Sequence, residues 1–123
     1  MLARANRIVR ADDYRNTVRR GRKSATAHCV VYVRRRPEGS GPEDPAPRFG
    51  FIVAKTVGNA VVRNTVRRRL KAVAHDRLPF LPPRTDVVIR SLPGSIGVPW
   101  STLLEEITGV IDKGVLSSKE VKA

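Results

Sequence analysis

One run constrains this chain more than any other: Lys55-Thr56-Val57-Gly58-Asn59-Ala60-Val61-Val62-Arg63-Asn64-Thr65-Val66-Arg67-Arg68-Arg69-Leu70-Lys71. It reads as a turn feeding a helix. At about 100° per residue, Val62, Val66, Leu70 and Val73 gather within about 80° and form an apolar stripe that must lie on another layer. Arg63, Asn64, Arg67, Arg68 and Lys71 occupy much of the opposite face. A helix facing only water would mix signs, so that acids and bases at i,i+4 support each other. No acid stands between Lys55 and Asp76. The face repels itself unless something anionic lies against it, and the simplest such partner is a phosphate backbone.

The flanking residues place this helix in a small mixed fold. Asp12 or Asp13 is expected to cap a first helix carrying Tyr14 and Val18 one turn apart, with Gly21 at its end. A strand rich in β-branched residues follows, from His28 to Arg35. Segment 37–47, with Pro37, Gly39, Ser40, Gly41, Pro42, Pro45 and Pro47, reads as a mobile connection within one domain of residues 1–123. A second strand, Arg48 to Lys55, leads into the basic helix over 59–77, which Pro79, Pro82 and Pro83 stop. Val87-Val88-Ile89 is a short buried strand. Thr102-Leu103-Leu104-Glu105 reads as a capping box opening a last helix that turns Leu103, Leu104, Ile107, Val110 and Ile111 inward and ends near Gly114. The tail, about 115–123, is expected to fray. The residues alone thus predict an α-β-β-α-β-α order, with helices over a small sheet.

Charge points to the same partner as the helix. Lys and Arg number 24 against 11 Asp and Glu, a net +13 that draws in polyanions and binds them by releasing counterions. A membrane surface would call for Trp, Phe and Leu beneath the basic face, where this helix has Val and Ala, and no run of 18 apolar residues is present. The single cysteine, Cys29, falls in a strand and reads as a buried thiol, with a cytoplasmic location as the default.

No catalytic or metal-binding constellation is visible. There is no Ser/His/Asp set, no His-Glu-x-x-His and no cysteine cluster. His75 reads as solvated at the end of the basic helix, and the pairs Asp12-Asp13 and Glu105-Glu106 read as first-turn acids on their helix dipoles. What remains is a binding surface: the cationic face, and a candidate platform of Tyr14 with Tyr32 and Val30 for stacking bases of a single strand. Tyr14 reads from spacing as half-buried, and Phe49, Phe51, Phe80 and Trp100 as able to fill the core.

These residues resemble the bacterial ribonuclease P protein component. The signature of that family has Lys, Gly-x-Ala-Val, Arg-Asn and then a basic run, matched here from Lys55 and Gly58 to Lys71. Asn6-Arg7-Ile8, Asp13-Tyr14 and Gly21 resemble its N-terminal pattern. Phe49-Gly50-Phe51-Ile52-Val53-Ala54-Lys55 and Asp86-Val87-Val88-Ile89-Arg90 resemble two of its strands. The likeness spans residues 4–112.

The resemblance implies a two-layer α/β (α+β) sandwich in α-β-β-β-α-β-α order. Its extra strand would come from about Ser24 to Ala27, and a left-handed crossover would run around the basic helix, against the usual hand. It implies a subunit that joins ribonuclease P RNA to cut the 5′ leader from precursor tRNA, with Mg²⁺ held mainly by RNA and substrate and the chemistry done by the RNA. It implies RNA contacts at Arg7, Lys55, Arg63, Asn64, Arg67, Arg68, Arg69, Lys71 and Arg90, and a leader cleft at Tyr14, Val18, Val30 and Tyr32. Thr65 and Thr56 stand where the family usually has cations, and Val18 where it often has a second aromatic. At Thr65 one contact is therefore expected to be lost or moved to Arg69. The competing readings are a ribosomal or ribosome-assembly RNA-binding protein and, less well matched, a DNA-binding regulator, which would want a second helix at a tight turn.

Overall fold

A computed structural model describes residues 2–37 and 45–122, with side chains as far as Val115. The order is α1 (Ala11–Arg20), β1 (Arg22–Ala25), β2 (Cys29–Arg35), β3 (Arg48–Ile52), α2 (Ala60–Arg77), β4 (Thr85–Ser91) and α3 (Trp100–Lys122), joined in places by single 3-10 turns. The four strands form one mixed sheet in the order β1-β2-β4-β3. β2 runs antiparallel to β1 and β4, whereas β3 lies parallel to β4, with Phe49 opposite Val87 and Phe51 opposite Ile89. Parallel neighbours need a long crossover, and α2 supplies it.

Alternation along the strands divides the interior in two. Val31, Val33, Phe49, Val87 and Ile89 face α2 and α3, meeting Val66, Leu70 and Val73 from one helix and Leu103, Ile107 and Ile111 from the other. Each such side chain, fully buried, contributes about 1.5–3 kcal/mol. On the other face a smaller cluster of Ile8, Val30, Tyr32 and Val88 lies with Tyr14 and Val18 of α1. The two-layer sandwich of sheet and α2/α3 therefore carries α1 over part of its second face.

The outer edge of β3 is covered by the N-terminal segment. Arg7 makes a parallel bridge to Phe49, the Ile8 amide donates to the Phe49 carbonyl at 2.9 Å, and Asn6 Nδ2 donates to the Pro47 carbonyl at 2.9 Å. An edge paired this way cannot recruit another strand.

Several boundaries differ from expectation. α1 starts at Ala11 with Arg10 at its cap position, so Asp12 and Asp13 lie inside the first turn and cap nothing. α3 starts at Trp100, and the Pro99 carbonyl accepts from the Thr102 and Leu103 amides at 3.1 and 3.2 Å, which leaves no place for a Thr102 capping box. Gly114 does not end α3: a Cβ there would stand 2.7 Å from Val33 Cγ2, so the glycine lets helix and strand approach and the helix continues to Lys122. The strand implied near Ser24–Ala27 sits earlier, at Arg22–Ala25, and β3 stops at Ile52. Most of the connection 37–47, and the side chains of the tail beyond Val115, lie outside the described residues.

Candidate nucleic-acid interface

The basic helix forms as its pattern predicts. Asn59 Oδ1 accepts from the Val62 amide at 3.0 Å and so caps α2. Val66, Leu70, Val73 and Ala74 are buried, and Val62 packs at the edge of the core. Asn64, Arg68 and Lys71 are exposed, with Arg63 and Arg67 half-buried beside them. Arg67 Nη1 donates to Asn64 Oδ1 at 3.3 Å and Arg68 Nη2 approaches Thr65 Oγ1 at 3.5 Å. None of these four cations meets a carboxylate among the described residues.

Arg69 behaves differently. Its Nη1 donates to the carbonyls of Ile96 and Val98 at 3.0 and 3.1 Å, tying the turn before α3 to α2. One end of its guanidinium is thus a tether. The Thr65 hydroxyl itself donates back to the Val61 carbonyl at 3.1 Å.

Beside the helix, a groove of about 250 Å³ brings Tyr14 and Phe51 together with Arg7, Arg67 and Lys71. Tyr14 is set there by Gly50: a Cβ at that position would stand 2.5 Å from Tyr14 Cε1, so only a glycine lets the ring lie on β3. The ring is then fixed by the Phe51 amide, which donates to the Tyr14 hydroxyl at 3.2 Å. Phe51 is half-buried and stacks on the buried Phe49, their centroids 6.4 Å apart.

The remaining cleft residues are placed less openly. Tyr32 is 5% exposed and Val30 is equally enclosed, so they form a floor beneath α1, not the open platform expected of them. Val18 is half-buried in the same cluster. Arg90 is exposed opposite Val30 in the sheet, on that face and away from α2. Lys55 is exposed in the 3-10 turn that leads to Gly58.

The chain matches the family model described as Ribonuclease P over residues 2–114. It is 50% identical over 115 residues to the ribonuclease P protein component of Clavibacter michiganensis, covering 94% of this chain and 97% of that one. The chain belongs to the ribonuclease P protein component family. It is 39% identical to the corresponding Streptomyces avermitilis protein, covering 92% of this chain and 94% of that one. The folds of the ribonuclease P proteins of Staphylococcus aureus and Thermotoga maritima superpose with TM-scores of 0.74 and 0.71. Their identities are 22% and 20%, over 89% and 87% of this chain and 97% and 96% of theirs. As a family member it is a subunit of an endoribonuclease that processes tRNA, and it associates with ribonuclease P RNA.

Three acids of this ribonuclease P protein, Asp13, Asp86 and Glu106, are spent on structure. Asp86, 1% exposed, accepts from Arg48 Nε and Nη2 at 2.9 and 2.7 Å and from Arg36 Nη1. Arg48 also reaches Asp13 at 3.2 Å. Burial alone would lower the Arg48 pKa, but the hydrogen bonds and charge of Asp86, with those of Asp13, outweigh it and hold the guanidinium above its ordinary value. Glu106, in the second turn of α3 and not the first, pairs with His28 Nδ1 at 3.0 Å. Burial, with the Glu106 charge adding, pushes the Cys29 thiol up to about 12, which leaves it unreactive.

The described residues offer no protein site that fits the Mg²⁺ the family implies. Among the described residues no three His, Cys, Asp or Glu side chains gather to hold a metal, and Asp86 and Asp13 are already held by arginines. No helix among the described residues is long and apolar enough to cross a membrane.

Sequence reasoning missed the Asp86 cluster, the His28–Glu106 pair and the groove position of Phe51. Phe49-Gly50-Phe51 carried the signal for the last, because a glycine between two rings on a strand marks a place where something lies close on the other face.

Proposed function

We propose that the acid-free face of α2 (Arg63, Asn64, Arg67, Arg68, Lys71) binds ribonuclease P RNA, and that the Tyr14–Phe51 groove takes the single-stranded 5′ leader of precursor tRNA. The observation that carries this reading is the groove itself, where the Tyr14 and Phe51 rings, with the buried Phe49, stand beside three cations and no acid. That is the combination by which a single strand is held: bases stack on rings while phosphates follow the cations. Arg7, Arg67 and Lys71 belong to the wall of that groove, so the leader and the RNA subunit meet along one side of α2. Arg90 and Lys55, both exposed, add to the positive field.

The groove lining of cations, aliphatics and rings contains no carboxylate or imidazole to move a proton. This supports leaving hydrolysis of the phosphodiester bond to the RNA, with Mg²⁺ held by RNA and substrate. The reading places this work in the cytoplasm, where a chain whose one cysteine is buried needs no disulfide.

Reconstitution with ribonuclease P RNA tests it. Cleavage of precursor tRNA at low Mg²⁺ should depend on this protein. Tyr14→Ala in the assembled enzyme should weaken precursor tRNA about ten-fold, the value of losing one stacked base, and leave mature tRNA nearly unaffected. Equal losses for both ligands would remove the leader from this groove.

A further inference from the structure

Trp100 is the sole tryptophan of the chain, and it is 40% exposed at the first residue of α3. A large ring left in water at a helix start forgoes burial that the nearby core could offer. Its place is nonetheless built. Arg69 holds the preceding turn by two carbonyls, and the Pro99 carbonyl accepts from the Thr102 and Leu103 amides in the first turn of the helix. The ring borders a concavity of about 470 Å³ lined with Thr65, Arg68, Arg69 and Ala72 of α2. No acid among the described residues lines it.

This concavity does not stand alone. It shares Arg68 and Ala72 with a second, lined by Leu2, Arg7 and Lys71, and that one shares Arg7 and Lys71 with the Tyr14 groove. The three adjoin around α2, with cations along the way and an aromatic ring at each end.

We infer that Trp100 is a stacking platform for an unpaired base of ribonuclease P RNA, on the flank of α2 away from the Tyr14 groove. The inference rests on the proposed reading that α2 faces that RNA, and adds a site to it. Arg68 supplies the connection: a strand whose phosphate lies on Arg68 has its next base within reach of the indole. The occupant is RNA and not an apolar protein segment, because the walls are cationic and small, and stacking plus charge is how such walls bind.

The chain's single tryptophan makes the test direct. Adding the ribonuclease P RNA transcript, without any tRNA, to the wild-type protein should quench Trp100 emission and protect it from acrylamide. A fully paired RNA duplex at the same salt should leave emission unchanged. Trp100→Ala should weaken binding of the transcript about ten-fold without altering the salt slope, and Trp100→Phe should recover most of the loss. Salt-dependent binding of the transcript with unaltered emission overturns the stacking site and leaves the role of α2 intact. Equal quenching by the duplex also overturns it. Failure of the wild-type protein to bind the transcript at all sinks both readings.

Discussion

Arg48 lies on β3, 6% exposed, and gives Nε and Nη2 to Asp86 at 2.9 and 2.7 Å, whereas Arg68 lies open on α2 and reaches a threonine hydroxyl at 3.5 Å. The two regions differ in where the acids are. Asp13 of α1 and Asp86 of β4 neutralise Arg36 and Arg48, and none of the described carboxylates pairs with the outward face of α2. A net charge of +13 is therefore not a uniform coat. Cations with a built counter-charge hold the fold; those without one are available to a polyanion.

That division can be broken most forcefully at Asp86. Asp86→Ala removes a carboxylate that Arg36 and Arg48 share, and stranding buried charge costs about 3–5 kcal/mol. Thermal melting by circular dichroism should show the midpoint fall by more than about 10 °C, while the salt slope of RNA binding by the folded fraction stays as in the wild type. An unshifted midpoint would mean the cluster is not structural. Arg69→Ala should come next. It frees two carbonyls of the turn before α3, a loss of about 1–3 kcal/mol, again with little change of salt slope.

Arg67→Ala and Arg68→Ala should do the opposite. Each should leave stability within about 0.5 kcal/mol and lower the slope of log K against log salt by about one. If either melts early and keeps its slope, α2 belongs with the structural set. The smallest effect sharpens the comparison from a neutral group. Cys29 is buried without a cation, so its native thiol keeps its proton up to about 12, against 9.0 for the free thiol. Between those values the unfolded chain has lost a proton that the native chain retains, so this contribution to stability is whole below about pH 9 and declines as pH rises. Cys29→Ala should flatten that alkaline decline, and identical limbs for the two proteins would exclude it.

How much of this was legible depends on whether a signal was local. The α2 stripe, its Asn59 cap region and the order of strands follow from periodicity and punctuation within a few residues. The roles of Arg48, Arg69 and Tyr32 do not. Arg48 and Asp86 lie on adjacent parallel strands joined through α2, and nothing near either residue names its partner. Arg69 carries the same type of side chain as Arg68 one position away, but about 100° of helix turns it toward Ile96 and Val98. Tyr32 is buried because α1 crosses over β2, a placement set by the whole sheet. Val30 and Tyr32 share a strand face, as alternation requires, but whether that face is open depends on what covers it. The cap assigned to Thr102 failed because Pro99 begins the helix earlier and its carbonyl meets the amides first.

The acid-free face of α2 also sets what the protein asks of its solvent. Cations one helical turn apart stand about 5–6 Å from each other at Cβ, inside the roughly 8 Å over which physiological salt screens charge. Free in solution, the chain carries that repulsion as a standing load on its own fold, so added salt should raise its melting temperature. The same salt weakens its hold on RNA. Folding and binding should thus respond to ionic strength with opposite sign, and an RNA laid on the face would also act as the counterion that steadies the protein, by an amount that grows with the RNA concentration over its dissociation constant.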